Sequence, residues 1–193
     1  MLSFRQAVLS TGLLLAFSLQ AAELRDVTVE RDDDRYKLRS ETLFDTTQED
    51  LYRVLTNYDD FEKFTSAFSD SRNLEPDEDG NPRFYTEMEG CVLFFCVTFE
   101  RYGHLELQPE TNIRAVVDPE TSDFAYSVET WALSKEDDGV LLIYEFEMEP
   151  DFWVPPVIGP FYIRRALRDG AVRAVDRIEA LAQGREPAYP IDD

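Results

Sequence analysis

One histidine and two cysteines are all the soft metal ligands and thiols that this 193-residue chain carries. The four-ligand Cys/His set of a structural zinc site is therefore excluded, and Cys91 and Cys96 lack the C-x-x-C spacing of dithiol redox motifs. No glycine-rich phosphate loop, nucleophile elbow or paired histidine–carboxylate motif occurs. Basic residues are scarce too, with 19 Lys and Arg against 40 Asp and Glu and a formal charge of −21. Such a surface repels nucleic acid and anionic headgroups at long range, so no nucleic-acid partner is expected. After the first 22 residues no apolar run is long enough to cross a bilayer. No catalytic residue, metal or cofactor is assigned from the sequence.

What is present begins with an export-type leader, Met1 to about Ala22. Arg5 is its only charge, an apolar core runs from Ala7 to Leu19, and the small residues Ala21 and Ala22 precede the charged Glu23. The core is short for a membrane span, so cleavage is expected over a retained anchor. Residues 23–193 then form one exported, periplasmic domain with a sizeable core. An oxidising compartment gives the cysteines a role. In Cys91-Val92-Leu93-Phe94-Phe95-Cys96 a straight strand would hold the sulfurs about 17 Å apart, so a Cys91–Cys96 disulfide demands a chain reversal between them. The alternative is two buried thiols in one continuous apolar strand.

Tyr36, Leu38, Ser40, Thr42 and Phe44 alternate with polar residues as a half-buried strand does. Thr46-x-x-Glu49 reads as a capping box opening a helix through Leu55, which Asn57 ends, and Tyr58, Phe61 and Phe64 form the stripe of a second short helix. Six strands follow between about Ala67 and Pro150, separated by turn-rich segments such as Asp77–Pro82 and Asp118–Thr121. Pro160 then serves as the first residue of a long helix to about Ala182, with Ile163, Leu167, Ala171, Ala174, Ile178 and Leu181 on one face.

That order, with the segment Leu51-Tyr-Arg-Val-Leu-Thr-Asn-Tyr-Asp-Asp-Phe-Glu-Lys-Phe64, resembles the START-like helix-grip superfamily and within it the polyketide cyclase and coenzyme Q-binding branch. Asn57 stands where that branch commonly has aspartate. Trp131-x-Leu133 and Pro155-Pro156 resemble its exported members. The resemblance spans about Tyr36 to Ala182. It implies an α+β fold, a curved antiparallel sheet of about seven strands gripping the C-terminal helix around an apolar cavity, and it implies no particular reaction.

Alternation and that architecture nominate the site. Phe84, Met88, Phe99, Trp131, Tyr144 and Phe146 face the helix, where Gly170 and Ala174 leave little volume, so either a cavity or close packing results. Arg101 and Glu129 are the odd charges on this inward face; they hold a ligand headgroup, hold each other, or are turned outward by a bulge. The sole histidine, His104, falls on the outer face. Turns of an antiparallel meander alternate between its ends, so the cysteine tip shares an end with the exit from the last strand. Leu93, Phe94, Phe95, Trp153 and Val154 would meet there, as a cavity mouth or as a plug of the core.

The expected activity is binding of a hydrophobic small molecule such as a lipid or quinone, without chemistry, and with transient membrane or protein contact at the apolar end. The alternatives are a cyclase, dehydratase or hydrolase using Glu129 or a tyrosine, and a module that docks a protein partner on the apolar end.

Overall fold

The computed structural model describes residues 22–92, 95–137, 139–156 and 158–187, and for residues 91, 92 and 95 the backbone alone. Eight strands are formed: β1 (Glu23–Asp32), β2 (Arg35–Phe44), β3 (Phe68–Leu74), β4 (Arg83–Val92), β5 (Phe95–Gln108), β6 (Asn112–Val117), β7 (Phe124–Glu136) and β8 (Gly139–Pro150). They make one antiparallel sheet in the order β1-β2-β8-β7-β6-β5-β4-β3. Helix α1 (Gln48–Thr56) and a 3₁₀ segment (Tyr58–Lys63) link β2 to β3, and α2 (Gly159–Ala182) ends the fold. This is the helix-grip arrangement of a curved open sheet and a long C-terminal helix.

The sequence predicts seven of these strands, and β1 is the eighth. Its apolar residues do not alternate cleanly, because a register shift between Leu24 and Asp26 puts Leu24 and Val27 three positions apart on the half-buried face. A second correction concerns α1. Thr47, not Thr46, is its N-cap: the Thr47 hydroxyl accepts from the Asp50 amide and donates to the Asp50 carboxylate at 2.7 Å, so the reciprocal partner is Asp50 rather than Glu49.

The 3₁₀ segment has a clear physical cause. Residues three apart eclipse in that geometry, which lines Tyr58, Phe61 and Phe64 into a column with ring centroids 3.9 and 4.6 Å apart. Tyr58 stacks in turn on Phe84 of β4 at 4.3 Å. Phe84 reaches that place because its register partner is Gly103, where a Cβ would stand 2.7 Å from the Phe84 ring and 2.3 Å from the Val116 carbonyl. Burial of each such ring contributes about 1.5–3 kcal/mol. Asn73 of β3 ties the column down, its side chain accepting from the Tyr58 amide and its amide donating to Asp59.

Buried apolar residues fall into two clusters. One surrounds α1 and the aromatic column, with Leu51, Leu55, Trp131, Val175 and Ile178. The other lies toward the start of α2, with Tyr36, Leu38, Phe124, Phe146 and Met148. Helix α2 is unevenly held. From Val175 onward it is largely buried, whereas Phe161 to Ala174 is half-buried or exposed.

Candidate functional site

Between the two clusters, under α2, lies a cavity of about 160 Å³. Its walls come from β2, β8, β7, β5 and β4 on the sheet side and from α2 and the 3₁₀ column on the other. Of the nominated residues, Met88, Arg101, Glu129, Trp131, Tyr144, Phe146, Gly170 and Ala174 line it. A Cβ at Gly170 would meet no atom within 4 Å, so the small residues of α2 leave space there.

Phe84 and Phe99 do not line the cavity. Phe84 is drawn behind the wall by its stack on Tyr58. Phe99 is held at the open strand ends, stacked on Phe152 at 5.0 Å with Phe124 edge-on at 5.9 Å. Sequence reasoning also missed lining residues, notably Thr42, Leu55, Phe61 and Phe64. The inward alternation of β2 and the stripe of the 3₁₀ segment were legible, but nothing in them separates a residue that closes the core from one that borders a gap.

Arg101 and Glu129 are the charged residues of the wall. Both stay inward, their side chains 2% and 6% exposed, and Arg101 Nη2 donates to Glu129 Oε1 in a buried ion pair. The guanidinium lies 5.8 Å from the Phe84 ring centroid and 5.5 Å from that of Phe146, so Phe84 supports it from behind. Burial opposes its charge, yet the Glu129 carboxylate, through its charge and its hydrogen bond, outweighs this and holds the guanidinium above its ordinary range. Tyr144 lines the cavity with its phenol hydrogen-bonded to Glu129; burial first and the Glu129 charge second push it well above the ordinary tyrosine range. Tyr58 is raised for the same two reasons. Both phenols are therefore protonated at physiological pH, and Tyr144 donates to Glu129.

The pair leaves hydrogen-bonding capacity unused. Among the described residues Arg101 Nε, Thr86 Oγ1, Ser127 Oγ and Tyr58 Oη are buried with no partner. Thr86 is the register partner of Arg101, and Ser127 precedes Glu129 by two positions on the same strand face. Only Arg101 of these four borders the cavity.

At the far end of the sheet the chain returns three times: Val92 pairs with Phe95, Asp123 donates its amide to Glu100, and Asp151 donates to Asp123. The exit segment after β8 divides its residues. Phe152 turns inward onto Phe99, and Val154 packs where a Cβ on Gly159 would lie 2.4 Å away. Trp153 turns outward, 79% exposed, with Ile158 and Phe161 also exposed at the start of α2. Leu93 and Phe94 lie outside the described residues, as does the side chain of Phe95. The strand register sets Cys91 opposite Cys96, with the reversal between them that a disulfide demands. His104 is on the outer face beside Glu106. Among the described residues no group of three or more His, Cys, Asp or Glu side chains is placed to hold a metal ion.

No family model matches the sequence, and no curated protein matches it. Solved structures do match in fold. A STAR-related lipid transfer protein fragment from Xanthomonas axonopodis superposes with a TM-score of 0.60 at 12% identity, over 81% of this chain and 98% of that one. A START superfamily protein from Mycobacterium smegmatis gives 0.60 at 12% identity, over 77% and 97%. The di-domain ARO/CYC StfQ of the steffimycin biosynthetic pathway gives 0.56 at 13% identity, over 79% of this chain and 52% of that one. The chain has the START-like helix-grip fold.

Proposed function

We propose that this protein binds a hydrophobic small molecule under α2, with the polar end of that molecule at the Arg101–Glu129–Tyr144 wall. The observation that carries the reading is a largely apolar cavity with a buried ion pair in its wall, whose guanidinium keeps an unpartnered N–H. The lipid-transfer and cyclase names of proteins that share the fold support the same class of ligand.

Size sets how the ligand enters. A cavity of about 160 Å³ matches the roughly 150 Å³ that admits a benzene-sized group, below the 300–1,000 Å³ of pockets for larger ligands. A ring or headgroup therefore fits the space as it stands, and a long chain is accommodated by lifting the loosely held first half of α2. Trp153, Ile158 and Phe161 at the start of that helix supply an apolar contact for a membrane or a partner during exchange. Arg164, Arg165 and Arg168 follow on the same exposed stretch and offset locally the repulsion of an acidic protein from a headgroup layer. We further propose export and a Cys91–Cys96 disulfide that fixes the hairpin tip at this end.

Organic extraction of the purified protein followed by mass spectrometry is expected to yield an apolar compound. An apolar fluorescent probe is expected to bind the wild type and to fail with Gly170→Phe, since that side chain enters open space and fills the cavity. Probe uptake unchanged in a folded Gly170→Phe protein places binding elsewhere and refutes the proposal. A proton-transfer enzyme is the second reading, favoured by the neutral Tyr144 phenol facing the cavity. Glu129 is already engaged by Arg101.

A further inference from the structure

Glu179 is a buried carboxylate that the ligand site does not use. It lies in the well-packed half of α2, 4% exposed. Its two oxygens are divided between backbone amides, Oε1 accepting from Asp45 N at 3.0 Å and Oε2 from Ala22 N at 3.0 Å. Among the described residues no salt bridge joins it to a cationic side chain, and Arg25, the basic residue closest in sequence to Ala22, is engaged by Glu136 and Glu23. A buried carboxylate without a counter-charge is costly, and amide hydrogen bonds offset only part of that cost.

The position of Ala22 supplies the missing charge. The leader ends in Leu19-Gln20-Ala21-Ala22-Glu23, and hydrolysis after Ala21 satisfies the preference for a small residue just before the cut. Water cleaves the Ala21–Ala22 amide in that step; Ala21 leaves as a carboxylate, and the freed Ala22 nitrogen takes a proton to become an ammonium group. The neutral amide that faces Glu179 in the uncut chain thereby becomes a cation at the same place. We propose that a leader peptidase cuts between Ala21 and Ala22, and that the new Ala22 ammonium forms a partly buried ion pair with Glu179 that fastens the start of β1 to α2. The boundary falls one residue before the one read from the sequence.

The test begins with the full-length chain expressed in a secreting host. The intact mass of the purified product should equal that of residues 22–193, and any other N-terminus overturns the assignment. In that product the Ala22 α-amino group should titrate at least about one unit above its ordinary value near 8 and return to it in Glu179→Gln. An ordinary value in the wild type overturns the ion pair. Nα-acetylation keeps one N–H donor and deletes the charge, so it should lower the denaturation midpoint. It should lower Glu179→Gln little further, and fully additive losses overturn the pairing. Should Glu179→Gln not fold, the titration and the acetylated wild type decide the matter.

Discussion

Replacing Glu129 by Gln removes one charge from the Arg101–Glu129 pair and changes almost no volume. The guanidinium, 2% exposed, is then left without a counter-charge between the Phe84 and Phe146 rings. Losing one partner of such a buried pair costs about 3–5 kcal/mol. For a domain whose total stability is of order 5–15 kcal/mol this is a large fraction, and with a urea slope near 2 kcal/mol/M the midpoint falls by about 2 M. The double replacement Arg101→Met with Glu129→Leu removes both charges and is expected to be more stable than Glu129→Gln alone, despite the Tyr144 phenol losing its acceptor at about 1–3 kcal/mol. Urea unfolding followed by far-UV circular dichroism measures all three. A loss below about 1 kcal/mol for Glu129→Gln, or a double variant weaker than the single, would show that water reaches the pair, and the polar wall would be an open surface rather than a buried one.

Two further outcomes are expected. If the proposed Cys91–Cys96 disulfide is formed, intact mass should rise on reduction by two hydrogens, and removing that bond should cost on the order of 2 kcal/mol for so short a loop; a thiol assay that finds both cysteines free in the unreduced protein refutes it. The pKa values of Tyr58 and Tyr144 are raised in the folded state above those of the unfolded chain, so the stability they protect is complete below about pH 10 and is lost as pH rises further. Their phenolate absorbance should appear only with unfolding, and reversible ionisation of every tyrosine near pH 10 in the folded protein contradicts their burial.

The pattern of the long strands and of α2 was legible because burial there follows a strict period. Val140, Leu142, Phe146 and Met148 are buried in alternation, and α2 ends at Ala182 as its apolar face does. Arg101 and Glu129 were legible as a pair of misfits for the same reason, since an inward charge stands out against an alternating background. The bulged β1 was not, because one inserted residue destroys the period on which such a reading depends. The roles of Phe84 and Phe99 were illegible for another reason: facing inward does not say which neighbour a ring will find. Gly103 and the 3₁₀ column captured one ring and Phe152 the other, and both partners are distant in sequence.

On the proposed binding function, the division of α2 links the fold to its use. From Val175 to Ala182 the helix is pinned by Ile178 and Val175 in the main core and by Glu179 across to β1 and the end of β2. From Phe161 to Ala174 its sheet-facing side offers Ile163, Leu167 and Ala171, all half-buried, with Gly170 over open space. At about 25 cal/mol per Å² of apolar surface, half-buried side chains of this size contribute on the order of 1 kcal/mol each. Raising the first half of the helix therefore costs a few kcal/mol, well below the cost of global unfolding, while the second half stays fastened and restores the closed form. The small side chains Ala166, Gly170, Ala171 and Ala174 over the cavity leave little packing to break when the helix is raised as proposed. A helix packed equally well along its whole length would bury the same site without giving a ligand a way in.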